Sequence, residues 1–356
     1  MNDPDRVARR GDQAPPRYDP LRWLSRQLDE HKLELPFPAG KPAQAAAWRR
    51  KLLKELGARL GFRQYKAAAF KERRLAREEF DTFVREAYEI QTLPGMWTLV
   101  YIVLPKGIQG RRPGIVCCTG HGNGANDLVG LHPDGRPRDL MTGYQRDFAI
   151  QAAQQGFVAA AHDQIGWGRR QVFDFLKKSP GVHGCWPIAL RAIQFGMSLP
   201  GLRAFESIRV AEFLRSRPEV NPDRIGITGI SSGGNICLFT AAMHQRFQAV
   251  VLSGYFCTFR DSILAVHHCM DHYVPGLSRL AEMADVAALI GPAPLLVETG
   301  EWDFGFPIAG VRKSFGRLAA AYKTMGAGDR VKLHIFDDGH RWDGAAAWPW
   351  FHRFLD

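Results

Sequence analysis

A serine between two glycines is the feature of this 356-residue chain that most directly suggests chemistry. Gly229, Ser231 and Gly233 form a G-x-S-x-G motif between the apolar run 225–228 and the helical stretch 233–245. A sharp strand-to-helix turn leaves no room for side chains at the flanking positions, and it places the serine Oγ at a helix N-terminus. The motif predicts that Ser231 is a catalytic nucleophile. An ordinary glycine-rich turn between a strand and a helix is the alternative interpretation.

The later part of the chain supplies an acid and a base for this serine. Asp303 and His340 follow the short apolar runs 294–299 and 331–336, and the three residues occur in the order serine, acid, histidine. Hydrolases that carry their serine on such a turn use this order. His340 is predicted to accept the serine proton, and Asp303 to orient the imidazole and stabilise its charged form.

Other carboxylates compete with Asp303 for this role. Glu298 lies inside its apolar run, so its side chain points either toward the nucleophile or into the protein interior. Glu301 is nearer in sequence, but Asp303 better fits the turn that follows a strand. Three aspartates lie too close to the histidine in sequence to serve as its partner: Asp337, Asp338 and Asp343.

A glycine-rich loop after the apolar run 114–118 is predicted to form an oxyanion hole. The loop reads Thr-Gly-His-Gly-Asn-Gly-Ala over residues 119–125. The backbone N–H groups of Asn123 and Ser232 are the expected donors. The glycine spacing is also compatible with a dinucleotide-binding loop. However, no helix opens directly after it and no acidic residue follows at the required distance.

The elements that must position these residues alternate between two types. Short apolar runs typical of buried strands are separated by stretches with helical periodicity, which predicts a mainly parallel, doubly wound α/β sheet. Two further strands, 83–91 and 97–104, precede this region across a Pro-Gly turn. The expected parallel strands are 114–119, 157–162, 224–228, 249–252, 294–299 and 331–336, and the helices between and after them are 144–155, 203–217, 233–245, 309–325 and 344–355.

Two connections, 164–202 and 254–292, are longer than such units require. Both follow the carboxyl ends of strands, where open α/β sheets bind their ligands, so they are expected to cover the active site. Aromatic and histidine side chains from these connections and from the acid-bearing turn are predicted to line the substrate pocket: Trp167, Trp186, Tyr255, Phe256, His268 and Trp302.

The first 80 residues differ from the rest of the chain. They contain 19 Lys and Arg against 11 Asp and Glu, and therefore supply 19 − 11 = +8 of the formal net charge of +11. Residues 1–20 are expected to form a loose arm, 21–32 and 43–60 helices, and 66–77 a helix or an extended run. No nucleic-acid motif accompanies the charge, so a solvated helical surface is the preferred interpretation. The segment is expected to pack on the catalytic domain, residues 81–356, or to mediate a homo-oligomer.

Sequence features also bear on location and cofactors. No apolar signal segment and no run of about 18 apolar residues is present, so a soluble cytoplasmic protein that does not bind membranes is expected. The six cysteines include no C-x-x-C pair and are expected to be reduced and mostly buried. The segment 267–272 is rich in histidine. Since no recognised zinc framework surrounds it, it is expected to line the pocket, and no metal or organic cofactor is expected.

Several stretches together resemble the acetyl-xylan-esterase-like branch of the dienelactone hydrolase superfamily, which belongs to the α/β-hydrolases. They are residues 163–170, 224–242, 247–256, 268–276 and 292–300, and the resemblance extends over about residues 45–355. It implies an α/β-hydrolase fold, a triad of Ser231, Asp303 and His340, and an oxyanion position at Asn123. It also implies an esterase acting on acetyl or other short acyl groups.

The chain is therefore predicted to be a serine hydrolase that cleaves a small carboxylic ester through an acyl-serine intermediate. A serine peptidase or amidase and a carbon–carbon bond hydrolase are alternatives, because they use the same triad. A non-catalytic binding protein on the same scaffold is disfavoured, since such proteins usually lose a triad member and this chain retains all three candidates.

Overall fold

The computed structural model describes residues 16–178 and 184–356. Most of the predicted N-terminal arm, and a short part of the first long connection, lie outside these ranges. Within them the chain forms an α/β structure. Its helices are α1 (Pro20–Glu30), α2 (Pro42–Leu60), α3 (Phe148–Gln154), α4 (Phe173–Lys178), α5 (Cys185–Gln194), α6 (Leu199–Ser216), α7 (Ser232–His244), α8 (Leu277–Leu280), α9 (Met283–Ala288), α10 (Ile308–Thr324) and α11 (Ala347–Leu355).

In the described ranges, nine strands form one sheet in the order β1-β2-β3-β5-β4-β6-β7-β8-β9. The first three strands pair antiparallel, β3 pairs antiparallel with β5, and the remaining pairs are parallel. The predicted mainly parallel sheet is confirmed. The strands are β1 (Glu72–Glu79), β2 (Phe83–Leu93), β3 (Met96–Pro105), β4 (Arg112–Cys118), β5 (Val158–His162), β6 (Val220–Ile230), β7 (Ala249–Ser253), β8 (Leu295–Gly300) and β9 (Val331–Phe336).

Helices cover both faces of the sheet, which is why its central strands are continuous apolar runs. On one face, α6 and α7 pack against the sheet and contribute Phe213 and Phe239 to the larger hydrophobic core. On the other face, α3 and α11 contribute Phe148 and Phe351 to a second core. The carboxyl ends of β4, β6, β7, β8 and β9 therefore form the edge of the sheet at which side chains can contact a ligand.

The basic N-terminal segment contains one helix that enters the larger core and one that lies on the surface. In α2, Leu52, Leu56 and Leu60 are fully buried and belong to the same hydrophobic cluster as α6 and α7. Helix α1 has no buried residue. The stretch 66–77, predicted as helical or extended, overlaps β1. This exposed edge strand carries charged side chains that discourage pairing with another chain. Among the described residues, no helix is both long and apolar enough to cross a membrane.

The burial of α2 predicts a large stability effect for a substitution far from the active site. Leu56→Ala removes a fully buried side chain from the core, and we expect it to lower the free energy of unfolding by about 2–5 kcal/mol. Urea unfolding measures the change, with the exposed Lys51→Ala on the same helix as the control. Equal urea midpoints for the two variants would show that α2 contributes no packing energy to the core.

Candidate active site

Ser231 occupies the turn between β6 and α7 with φ 59° and ψ −125°, a conformation that L residues rarely adopt. A Cβ atom at Gly229 would overlap the carbonyl oxygen of Gly233, and one at Gly233 would overlap that of Cys118. The predicted requirement for glycine on both sides therefore has a direct steric cause. The Ser231 N–H donates to the carbonyl oxygen of Ser253 at 3.1 Å, which ties the turn to the end of β7.

The predicted acid and base are paired. His340 Nδ1 lies 2.6 Å from Oδ2 of Asp303, whose carboxylate is almost fully buried. The other carboxylate oxygen accepts the N–H groups of Gly305 (2.9 Å) and Phe306 (3.2 Å). These two N–H groups fix the orientation of the carboxylate. Its other oxygen accepts from His340 Nδ1–H, which leaves Nε2 facing away from the acid.

Packing fixes the plane of the His340 ring beside the nucleophile turn. The ring stacks on Tyr144 and Phe306, with centroid distances of 5.5 and 6.0 Å. A Cβ atom at Gly254 would lie 3.1 Å from His340 Cε1, so glycine lets the ring approach the end of β7. In the described part of the chain no hydrogen bond joins His340 to Ser231. Catalytic hydrogen bonds often close fully only when substrate binds.

The structure resolves the competition among the carboxylates. Glu298 is fully buried and accepts hydrogen bonds from Ser253 Oγ (2.7 Å) and the Asp343 N–H (3.3 Å). Its side chain therefore points into the interior, and burial raises the pKa of Glu298 to about 7. Glu301 is exposed. Of these candidates, Asp303 is the one that reaches the imidazole.

The oxyanion prediction needs one correction. Ser232 is the first residue of α7, so its backbone N–H lies at the start of the helix where no preceding turn accepts it. The Asn123 N–H, in contrast, donates to Asp127 Oδ2 at 2.8 Å, and the Asn123 side chain donates to Oδ1 of the same carboxylate at 3.0 Å. The Asn123 N–H is therefore not available as an oxyanion donor in this arrangement, because it already donates to Asp127.

Tyr144 is a site residue that the sequence did not reveal. Its hydroxyl donates to the carbonyl oxygen of His121 at 2.7 Å. Burial raises the pKa of Tyr144, the carboxylates of Asp127 and Asp271 act in the same direction, and a hydrogen bond with the Ser231 side chain acts against them. The tyrosine thus contacts Ser231, the glycine-rich loop at His121 and the His340 ring. It lies in no recognisable motif.

A buried ion pair lies directly beneath the nucleophile turn. Arg203, on α6, is fully buried and donates to Asp271 Oδ2 at 2.5 Å, and the Ser232 hydroxyl donates to the same oxygen at 2.8 Å. The guanidinium also donates twice to the carbonyl oxygen of Ile165, at 2.6 and 2.9 Å. Because Ile165 and Asp271 belong to the two long connections, this pair joins both of them to the nucleophile turn.

The charges around Asp271 influence one another strongly. Burial alone would raise the pKa of Asp271, but His121, His272 and Arg203 hold it well below its ordinary value. Burial likewise acts to lower the pKa of His121, and the Asp271 carboxylate overcomes this and raises it to about 9. A hydrogen bond from the Cys269 thiol, assisted by the charge of Arg203, lowers the pKa of Cys185 to about 5.

Three of the six predicted pocket residues lie around this cluster. Trp167 packs edge-on against His121, with ring centroids 4.6 Å apart. Tyr255 stacks on His272 at 5.4 Å, and His268 meets the same ring at 5.0 Å. A cleft of about 500 Å³ opens beside the oxyanion loop, and its lining combines polar, charged and aromatic groups: Asn123, Asn126, Pro133, Asp163, Gly168, Arg169, Gln171 and Phe173.

The other three predicted pocket residues lie elsewhere. Phe256 is 1% exposed and belongs to the larger hydrophobic core, so its assignment to an open pocket is wrong; Tyr255 is fully buried in the same core and meets the cluster only through His272. Trp302 is 69% exposed and its indole N–H donates to Asp337, which directs the ring along the surface. Trp186 is exposed at the start of α5 and packs against Phe175 of the first long connection. These three residues were predicted from their aromatic type alone, and residue type does not determine the direction in which a side chain points.

Comparisons with known proteins agree with the fold. Residues 37–343 match the Abhydrolase family. The chain is 27% identical over 250 residues to YtaP, a proposed hydrolase of Bacillus subtilis (strain 168), covering 67% of this chain and 77% of that protein. It is similar to the structure of a proposed acetyl xylan esterase from Bacteroides fragilis NCTC 9343, with 16% identity, a TM-score of 0.80 and 95% of each chain covered. A glucuronoyl esterase from Solibacter usitatus shows 16% identity and a TM-score of 0.64, over 92% of this chain and 100% of that one.

The raised pKa of Glu298 predicts a specific pH dependence of stability. Since the folded state favours the neutral acid, the contribution is complete below pH 4.5 and is lost as the pH rises through about 7. The shift corresponds to roughly 3 kcal/mol. Glu298→Gln mimics the neutral acid, so its stability relative to the unsubstituted protein should be higher at pH 8 than at pH 5. Urea unfolding at both pH values measures this difference, and a pH-independent difference contradicts the assignment.

Proposed function

The chain belongs to the Abhydrolase family, and from that membership we propose that it is a carboxylic-ester hydrolase that forms an acyl intermediate on Ser231. One observation carries the proposal: a buried Asp303 holds His340 at 2.6 Å beside a serine with a positive φ at the start of a helix. This arrangement supplies the orienting acid, the base and the exposed hydroxyl that acyl transfer requires.

The proposed reaction follows from these contacts. His340 Nε2 takes the proton from Ser231 Oγ as the oxygen attacks the ester carbonyl carbon. The Ser232 N–H is placed to donate to the negative oxygen that develops. The Tyr144 hydroxyl becomes a second donor when it exchanges its hydrogen bond with the His121 carbonyl oxygen for one with the substrate. His340 then transfers its proton to the leaving alcohol oxygen as the carbon–oxygen bond breaks. In the second half, His340 deprotonates a water that attacks the acyl carbon, and the proton returns to Ser231 as the acid departs.

We assign a short acyl group to the substrate. Aromatic rings crowd the space around the catalytic histidine and the oxyanion loop: Tyr144, Trp167, Tyr255, His272 and Phe306. The cleft beside the loop carries the polar side chains of Asn126, Arg169 and Gln171 on its wall, and these suit the alcohol part of a hydroxyl-rich ester. The likeness to structures named as acetyl xylan and glucuronoyl esterases supports a carbohydrate ester.

Replacing the nucleophile tests the proposal directly. Ser231→Ala should lower kcat for nitrophenyl acetate by about 10³-fold or more, because the triad acts as a unit. The matched control is Ser216→Ala, which changes an exposed serine at the end of α6. A Ser231→Ala variant with the turnover of the control would refute the nucleophile assignment.

A series of nitrophenyl esters with acyl groups of increasing length tests the assignment of a short acyl group. We expect kcat/KM for nitrophenyl esters to be highest for acetate and to fall from butyrate to octanoate, because the rings around His340 leave little room for a long acyl chain. Hydrolysis rates for the series, and for aminoacyl nitroanilides, are the measurements. Faster cleavage of the anilides than of any ester would identify an amidase instead.

The Tyr144→Phe variant tests whether the Tyr144 hydroxyl, which the sequence did not predict, takes part in catalysis. Phenylalanine keeps the ring that stacks on His340, so the variant removes only the oxygen. We expect kcat to fall by roughly 10- to 100-fold with little change in KM, since a donor to a developing oxyanion acts mainly in the transition state. An unchanged kcat would show that the hydroxyl only supports the His121 loop.

A further inference from the structure

Four potential metal ligands from three separate parts of the chain meet beside the nucleophile turn. His121 comes from the oxyanion loop, Cys185 from the first long connection, and Cys269 and Asp271 from the second. One ligand atom from each residue lies within 4.8 Å of all the others. Cys185 and Asp271 are buried and His121 and Cys269 are partly buried, and buried polar atoms in proteins normally have a bonding partner.

We infer that these four side chains form a structural binding site for one divalent cation of the zinc class. Zinc prefers sulfur and nitrogen ligands, accepts a carboxylate oxygen, and is almost always four-coordinate when all its ligands come from the protein. A set of two sulfurs, one nitrogen and one oxygen meets that preference. Magnesium and calcium, which require oxygen ligands, are excluded by the same set.

Two polar atoms of the cluster lack a hydrogen-bond partner that a cation would replace. His121 Nε2 and Asp271 Oδ1 are buried and make no hydrogen bond within the described chain. His121 Nε2 lies 3.3 Å from Asp271 Oδ2, a separation that suits two ligands of one ion. Binding at His121 Nε2 would displace the proton from that nitrogen and leave Nδ1–H in place, and it would displace any proton on the two sulfurs.

Arg203 supports the site rather than competing with it. The guanidinium donates to Cys185 Sγ at 3.1 Å and to Asp271 Oδ2 at 2.5 Å, which are the hydrogen bonds that hold anionic ligands in place around a metal. The two thiolates and the carboxylate carry three negative charges. Arg203 supplies one positive charge and a divalent cation the other two, so the buried cluster is electrically neutral when loaded.

The cation would join the two long connections to the oxyanion loop at the edge of the active site. With four protein ligands, no coordination position is left for substrate, which gives the ion a structural role. The Ser232 hydroxyl, bonded to Asp271, links this site to the nucleophile turn. The inference does not depend on the proposed esterase activity, because metal binding and ester hydrolysis are measured independently.

The test measures metal content of the full chain. After exposure to Zn²⁺ and dialysis against a weak chelator, mass spectrometry should find about one zinc per chain. Co²⁺ in its place should give the near-ultraviolet absorption of cobalt–thiolate bonds. Cys269→Ala should lose at least nine-tenths of the zinc and the cobalt band. The matched control is Cys257→Ala, which removes a buried thiol outside the cluster and should keep both.

Thermal unfolding supplies a second readout. A strong chelator should lower the Tm of the unsubstituted protein and of Cys257→Ala, and leave Cys269→Ala unchanged. Zinc content well below one per chain in the unsubstituted protein, or equal content in the two cysteine variants, overturns the inference. A mass decrease of about 2 Da from a Cys185–Cys269 disulfide, without a cobalt band, also overturns it, because both sulfurs would then be unavailable as ligands.

Discussion

The backbone conformation of Ser231 is the constraint on which the rest of the site depends. At φ 59° and ψ −125° the residue costs about 1–3 kcal/mol relative to an ordinary conformation. The surrounding packing compensates for this: β6 pairs on both sides with parallel strands, and the glycines at 229 and 233 let the backbone of the turn close on itself. The strain holds the hydroxyl clear of the main chain at the first turn of α7, where backbone donors are free.

The order of the strands in the sheet places the other two candidate catalytic residues, Asp303 and His340. Because β6, β7, β8 and β9 run parallel and in that order, their carboxyl ends form one edge. Ser231 follows the first of these strands, Asp303 the third and His340 the fourth. The buried acid then controls the imidazole through a single short hydrogen bond, and the stacked rings of Tyr144 and Phe306 prevent it from rotating. Catalytic geometry is therefore a consequence of strand order, refined by aromatic packing.

A buried ion pair joins the two long connections, 164–202 and 254–292, to this edge of the sheet. Arg203 and Asp271 are both fully buried, so either one alone would leave an uncompensated charge in the interior, at a cost of about 3–5 kcal/mol. Their shared contacts with Ser232 and Ile165 couple the nucleophile turn to segments far away in sequence. Cys185 Sγ and His121 Nε2 also contact this pair, the first through Arg203 and the second through Asp271. Polar interactions of the connections, more than their length, thus shape the wall of the active site.

Residue type and spacing were sufficient for the parts of the protein that follow a simple periodic rule. Alternating apolar runs and helices predict the parallel sheet, and a glycine-flanked serine followed by an acid and a histidine at later strand ends predicts Ser231, Asp303 and His340. The sheet prediction is confirmed because a strand is apolar when both its faces are covered. The three site residues meet because parallel strands present their ends at one edge, and their catalytic roles stay a prediction.

Side-chain direction and long-range pairing were decided only by the tertiary structure. The Asn123 N–H donates to Asp127, and Phe256 points into the core. Glu298 accepts a hydrogen bond from Ser253 instead of pairing with His340. Tyr144, Arg203 and Asp271 reach the site from segments that carry no motif. Such contacts depend on which rotamers and charges meet after the chain has packed, and no local pattern encodes them. The sequence by itself determined which residues can do the chemistry, and the packed interior determined which neighbours orient them.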